Sequence, residues 1–223
     1  MKKKIALIQM QAVLADVETN YRHAEELMEQ AMEGNPDILV LPETWNTGFY
    51  ISRKLKSIAD EGGKRTETFL SSFAKKHHVN VVGGSAAVLC GDDVYNRSFV
   101  FDREGRKIAE YDKVHGFSYA HEPMYFKGGD HAVSFALDDI SAVLSWKGKR
   151  IYFLSLPPGR RRVFSIGRFW DRQERWKTRF TCVPSTRAEF QGERSTRETQ
   201  CFSIPGGMTS VVWERKKGLL SGK

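Results

Sequence analysis

Lys4-Ile5-Ala6-Leu7-Ile8-Gln9-Met10 begins as an apolar run and passes into alternation, the pattern of a largely buried strand. From Asn20, the small and apolar positions Ala24, Leu27, Met28 and Ala31 share one helical face, with Glu25, Glu26 and Glu29 opposite, and Gly34-Asn35-Pro36 stops that helix. Asp37-Ile38-Leu39-Val40-Leu41 predicts a continuous buried strand ended by Pro42. A second helix is predicted over 66–77 and a further strand over 79–82. Strands over 98–101 and 107–111 flank Asp102-Arg103-Glu104-Gly105, a hairpin with turn chemistry. Strand, helix, strand, helix, strand and hairpin make an α/β layered domain, with no internal repeat and no low-complexity segment.

This regularity stops near residue 140. Beyond it apolar residues keep no sustained period, Arg160-Arg161-Arg162 follows Pro157-Pro158-Gly159, and charges are interspersed throughout. Foldable natural sequences agree across levels, and this stretch does not. Composition changes at the same place. Residues 1–140 carry 17 Lys+Arg against 21 Asp+Glu, a net of −4, whereas 141–223 carry 18 against 6, a net of +12. The later stretch also holds four of the five tryptophans and a single aspartate, Asp171. The overall charge of +8 therefore resides in the tail; taken alone it would point to an acidic partner such as nucleic acid.

Length and composition exclude several classes. A chain of 223 residues, 40% hydrophobic, suits one globular domain or two small ones with a real core. No apolar run approaches the ~18–20 residues of a spanning helix. Three widely spaced cysteines without a CxxC pair exclude a disulfide scaffold and a zinc ribbon. Three lysines followed by apolar residues open the chain, but Gln9 and Gln11 break the run, so an export signal is not read there and a cytoplasmic location is expected. His77 and His78 lack metal-ligand spacing, and Gly62-Gly63-Lys64-Arg65 lacks the strand and glycine spacing of a phosphate loop.

Candidate chemistry lies in the first region. Glu43 directly follows a buried strand in Leu41-Pro42-Glu43-Thr44-Trp45, at the rim where α/β folds place their reactive groups. Partial burial there would raise its pKa toward general-base range. Lys113 follows the hairpin in Tyr111-Asp112-Lys113-Val114-His115. A solvated loop carboxylate and a surface lysine fit the same two positions. With Gly83-Gly84-Ser85, Val94-Tyr95-Asn96-Arg97-Ser98 and His121-Glu122-Pro123-Met124-Tyr125-Phe126 in this order, residues 4–140 resemble the nitrilase superfamily of carbon–nitrogen hydrolases. They look most like the small bacterial branch that hydrolyses simple ω-amides, including one linked to methionine salvage.

The resemblance implies the N-terminal half of a four-layer α-β-β-α sandwich, a homodimer, a small amide substrate, and neither cofactor nor metal. It also implies a cysteine that attacks an amide or nitrile carbon and forms a thioester for water to hydrolyse. Glu43 would be the general base, Lys113 the positive charge for the oxyanion, and Glu122 the supporting glutamate that positions Lys113 and substrate.

The nucleophile that the resemblance requires is missing. It would follow the strand after Asp138-Asp139-Ile140, in a Cys-Tyr-Asp-x-Arg-Phe-Pro-Glu context, where this chain reads Ser141-Ala142-Val143-Leu144-Ser145-Trp146-Lys147-Gly148. Cys90 lies upstream in a strand or hairpin and reads as a buried small hydrophobe, while Cys182 and Cys201 lack a strand-to-elbow context.

The genetic code offers an explanation. Read two nucleotides later, residues 203–209 permit Asp-Pro-Trp-Gly-Asp-Asp and residues 172–179 permit Ala-Arg-Ala-Met-Glu-Asn-Gln, both family-like. In the second window Trp176 followed by Lys177 forces the glutamate codon. Residues 147–153 permit Gly-Lys-Ala-Asp-Ile-Leu and residues 197–200 permit Gly-Asn-Ser, in the same frame and in the family's order. From about 144 onward the chain is thus expected to be an out-of-frame reading of the family's second half, with a deletion that removed the cysteine segment. Residues 1–140 would form half of a hydrolase domain and 141–223 a basic tail unlikely to fold natively, with poor solubility or degradation expected.

Three readings follow: an inactive descendant of a carbon–nitrogen hydrolase, an active thiol amidase using another cysteine, or a non-catalytic basic binding protein whose tail holds nucleic acid non-specifically.

Overall fold

A computed structural model of the chain describes residues 3–116, 118, 121–138 and 140–144, together with the backbone of five strands between 150 and 213. In chain order β1 (Lys3–Ile8) leads into α1 (Val17–Met32), β2 (Ile38–Val40), a one-turn α2 (Leu55–Ile58), β3 (Asp60–Glu61) and α3 (Lys64–His77). Next come β4 (Asn80–Val82), β5 (Ala86–Cys90), β6 (Asp93–Phe101) and β7 (Lys107–Asp112). A 3-10 turn at Glu122–Met124 precedes β8 (Val133–Leu137) and β9 (Ile140–Leu144).

The helices start earlier than apolar spacing alone predicts because polar side chains cap them. The Asp16 carboxylate accepts the Thr19 N–H at 3.1 Å, so α1 begins at Val17. The Asp60 carboxylate accepts the N–H groups of Arg65 and Thr66 at 3.2 and 2.7 Å, which opens α3 at Lys64. Lys75, Lys76 and His77 in the last turn of α3 complement its dipole. The 102–105 turn is fixed by the Asp102 carboxylate, which accepts from the N–H groups of Glu104 at 3.0 Å and Arg106 at 2.9 Å. The β6–β7 hairpin forms where the turn chemistry places it, with β6 reaching back to Asp93.

β1, β2 and β4 are parallel neighbours, Ile5 opposite Ile38 and Leu39 opposite Val81, with helices carrying each crossover. β6 then runs antiparallel to β4, β5 and β7. Both faces of this sheet are covered, which is why its strands read as continuous apolar runs. Ala6, Ile8, Leu39 and Val81 face α1 and α3 and pack on Ala24, Met28, Leu70 and Phe73. Leu7, Ile38, Val40 and Val82 face the other way, onto Phe135, Leu137, Ala142 and Leu144 of β8 and β9. Each such buried aliphatic or aromatic side chain contributes about 1.5–3 kcal/mol. Helices, first sheet and second sheet make three of the four layers expected. Arg103 links the two sheets, reaching Asp37 and Asp138 at 3.0 Å and the His78 carbonyl at 2.9 Å.

Beyond Leu144 the described backbone comprises β10 (Arg150–Ser155), β11 (Arg162–Trp170), β12 (Trp176–Pro184), β13 (Gln200–Ile204) and β14 (Met208–Trp213). β9 to β12 continue the second sheet as antiparallel neighbours, and β14 pairs with both β13 and β1. The expectation that 141–223 does not fold natively turns on side-chain packing there, which lies outside the described residues beyond Leu144. Among the described residues no helix is long and apolar enough to cross a membrane.

Candidate functional site

Three loop ends of the first sheet converge on one point. Glu43 stands three residues beyond β2, in a loop stitched to the segment after β4. The Leu41 N–H donates to the Val82 carbonyl, the Ser85 N–H to that of Pro42, and the Trp45 N–H to that of Ser85, at 3.0–3.1 Å. The Ser85 hydroxyl accepts the Thr44 N–H at 3.0 Å, and the Trp45 indole donates to the Gly83 carbonyl at 2.9 Å. The close approach needs glycine at 84: φ is +59°, and a Cβ would lie 2.0 Å from the Pro42 carbonyl oxygen. Thr44 itself is held at φ +46°, rare for a β-branched residue, directly beside the carboxylate.

Lys113 is the first residue after β7. Its N–H donates to the Asn96 carbonyl and its own carbonyl accepts the Gly129 N–H, both at 3.0 Å. The end of β7 is braced by Arg97, whose guanidinium grips the Asp112 carboxylate twice, at 2.7 and 2.8 Å. Those bonds push the Arg97 pKa further up, against the effect of burial. Glu122 opens the 3-10 turn, whose exit is tied to β6 by the Lys127 N–H on the Val94 carbonyl at 2.8 Å.

The side chains meet at the centre. Lys113 Nζ lies 2.8 Å from Glu43 Oε1 and 2.9 and 2.7 Å from the two oxygens of Glu122. The exposures are 6% for the Lys113 side chain, 12% for Glu43 and 0% for Glu122. Glu43 is therefore not a solvated loop carboxylate, nor Lys113 a surface lysine. One ammonium buried between two carboxylates is an arrangement that structure alone rarely demands, because desolvation offsets much of the attraction. Chemically it can hold a carboxylate as a proton acceptor beside a fixed positive charge, the pairing that suits attack on a carbonyl-type carbon.

A fourth group lay in one of the segments carrying the resemblance without having been singled out. Asn96 Nδ2 donates to Glu43 Oε1 and Glu122 Oε1, each at 3.0 Å. Its signal was the alternation in β6, where Val94, Asn96 and Ser98 are the inward positions and two of the three are polar.

The remaining sequence candidates fall elsewhere. Cys90 ends β5, half-buried against the helix-side core. Cys182 and Cys201 lie on β12 and β13, with side chains outside the described residues. β9 forms where the strand preceding the nucleophile was expected, and Ser145 to Lys149 are outside the described residues. Among the described residues no group of three or more His, Cys, Asp or Glu is placed to hold a metal ion.

Comparison with known proteins gives one pattern. The family model for carbon–nitrogen hydrolases matches residues 4–147. A 2-oxoglutaramate amidase of Bacillus subtilis is 37% identical over 142 residues, covering 64% of this chain and 54% of that protein. An ω-amidase of Saccharomyces cerevisiae is 33% identical over 123 residues, covering 52% of this chain and 42% of that protein. The chain thus spans about half the length of the curated relatives it matches. Among solved structures, yeast Nit3, a nitrilase-superfamily member, superposes with a TM-score of 0.55 at 28% identity, over 61% of this chain and 52% of that one. The fold is shared with a CN-hydrolase superfamily protein of Xanthomonas campestris at a TM-score of 0.58 and 22% identity, over 64% and 52% of the two chains.

Proposed function

The chain belongs to the carbon–nitrogen hydrolase family over residues 4–147, and on that premise we propose that it carries the base and oxyanion side of a small-amide hydrolase without the nucleophile. The observation that carries this reading is the buried Glu43–Lys113–Glu122 cluster, taken together with a sequence after β9 that reads Ser145-Trp146-Lys147-Gly148 and holds no cysteine there.

In the complete reaction a thiolate attacks the amide carbon, and Glu43 takes the thiol proton and passes it to the departing amine. Lys113 holds the oxyanion, and Glu122 keeps the lysine in place. Water then cleaves the thioester, with Glu43 accepting its proton, to give a carboxylic acid and the thiol again. Without the thiol the first step has no attacking atom, and this chain is inactive.

The reason proposed is a deletion and frame change after about residue 144. It is supported by four family-like windows in a single alternative frame and by a family match that stops at 147. The proposal makes the protein cytoplasmic. It assigns the homodimer face and most substrate-selecting residues to the half that the frame change replaced.

The test is ammonia release from 2-oxoglutaramate, the amide named in the Bacillus relative. The full chain is expected to release none above the uncatalysed background. Turnover that disappears on Cys182→Ala or Cys201→Ala would overturn the inactive reading. The nucleotide sequence across codons 135–180 tests the cause, because an intact frame with a Cys-Tyr-Asp segment would place the lesion in the recorded sequence rather than the gene.

A further inference from the structure

Asn96 does more than fill an inward position of β6. Its Nδ2 lies 3.0 Å from Glu43 Oε1 and 3.0 Å from Glu122 Oε1, and Lys113 Nζ bonds the same two oxygens at 2.8 and 2.9 Å. The four atoms form a closed ring in which two donors alternate with two acceptors. Both protons of the amide nitrogen are used. On the other side of the amide, Oδ1 is buried with no hydrogen-bond partner; among the described residues Thr44 Oγ1, next to Glu43, is the other such side-chain atom.

Turning the amide over would set Oδ1 against two carboxylate oxygens, so the carboxylates alone dictate its orientation. A buried amide that leaves its acceptor unmatched in order to give both protons to carboxylates is not explained by the sheet, whose bonds here are made by the backbone. Its neighbours explain it. Glu43 Oε1 and Glu122 Oε1 each accept one proton from Lys113 and one from Asn96. A neutral donor steadies both oxygens without adding a second cation to compete for the base.

We propose that Asn96 is a positioning residue that holds Glu43 and Glu122 in register on either side of Lys113. The inference rests on Glu43 and Lys113 being the reactive pair of an amide hydrolase, as proposed above.

The test is hydrogen exchange of segments 93–101 and 107–116 in the full chain between pH 5 and 8, each variant compared with the unaltered protein at the same pH. Asn96→Leu removes both donors and is expected to speed exchange about tenfold at every pH. Asn96→Asp sets a third carboxylate against the other two, which raises its folded pKa above the unfolded value. Below about pH 4 the neutral acid still offers one of the two donors, so only a constant penalty for the lost second bond is expected; above it the penalty grows as pH rises, by up to about tenfold per unit until the new group is fully ionised. Asn96→Asp combined with Glu122→Gln returns to two carboxylates beside one lysine but leaves the new carboxylate against Glu43, so its penalty is expected to grow with pH and to level off at a lower pH than that of Asn96→Asp alone. If Asn96→Asp alone fails to fold, the double variant carries the test.

A penalty independent of pH for Asn96→Asp, or for the double variant where the single one does not fold, would make Asn96 a packing residue and overturn the inference. Exchange reads the ring and ammonia release reads the reaction, so either proposal can fail while the other stands.

Discussion

Strands in residues 3–144 pair both in parallel and antiparallel, whereas the described strands in residues 150–213 pair only antiparallel. In the first region Ile5 pairs with Ile38 and Val40 with Val82, in parallel and across amphipathic helices, and the site draws Glu43, Asn96, Lys113 and Glu122 from four separate segments. In the second region strands mostly turn back on their predecessors: Arg150 pairs with Gly167, Arg162 with Pro184, and Gln200 with Val212. Antiparallel neighbours need only a turn and backbone bonds. A parallel crossover needs a helix whose apolar face matches the strands beneath it. The first kind of order therefore constrains sequence much more tightly, and it coincides with the region that the carbon–nitrogen hydrolase family matches.

The largest contrast is expected from removing a charge in each region. Lys113→Met leaves the Glu43 and Glu122 carboxylates buried without their cation and is expected to destabilise the protein by about 3–5 kcal/mol. Arg168→Met, on β11, is expected to shift the urea midpoint by less than about 0.5 kcal/mol equivalent. Equal losses at the two positions would erase the distinction between the regions.

Gly84→Ala sharpens it within the first region. The added Cβ meets the Pro42 carbonyl in the loop that carries Glu43, so a loss of about 2–3 kcal/mol is expected, measured by denaturant unfolding. Gly91, at φ +58° with nothing within 4 Å, has only the left-handed conformation to lose, and Gly91→Ala is expected to cost about 1 kcal/mol. If both changes cost the same, the Glu43 loop is not clamped as described.

Charge separates the regions next. Binding of the full chain to duplex DNA is expected to weaken at least about tenfold between 50 and 200 mM salt and to vanish when 141–223 is deleted. Binding retained by residues 1–140, which carry a net −4, would contradict the seam.

The smallest effect is acid loosening of the 102–105 turn. Burial pushes the Asp102 pKa up, but hydrogen bonds from the Arg106 N–H and guanidinium and the Glu104 N–H outweigh it and leave the value lowered. The stabilisation is thus present above about pH 4, the unfolded value, and lost as pH falls through the lower folded one. Exchange of the Gly105 N–H, bonded to the Asp102 carbonyl at 2.9 Å, should rise there before the rest of the sheet opens. Simultaneous opening of β6 and β7 would assign the acid response to the whole sheet.

Much of this molecule was legible in its residues. The 3.6-residue spacing of Ala24, Leu27, Met28 and Ala31 and the unbroken run Ile38-Leu39-Val40 needed no partner to be recognised, because local periodicity records which faces are covered. Motif order then carried Glu43, Lys113 and Glu122 as candidates. Less legible were β5, the one-turn α2 and the capped starts of α1 and α3, where a side chain reaching back several residues, rather than periodicity, sets the boundary.

By itself, then, the sequence determined the layered α/β class, the family and the change of character near residue 140, since periodicity, motif order and charge are properties of the chain. Only the tertiary structure decided that Glu43 and Lys113 are buried together and that Asn96 closes the ring between Glu43 and Glu122. Those facts depend on distances between groups 53, 70 and 26 positions apart. Linear order carries no such distance; it arises when the parallel crossovers and the β6–β7 hairpin bring their ends to one rim.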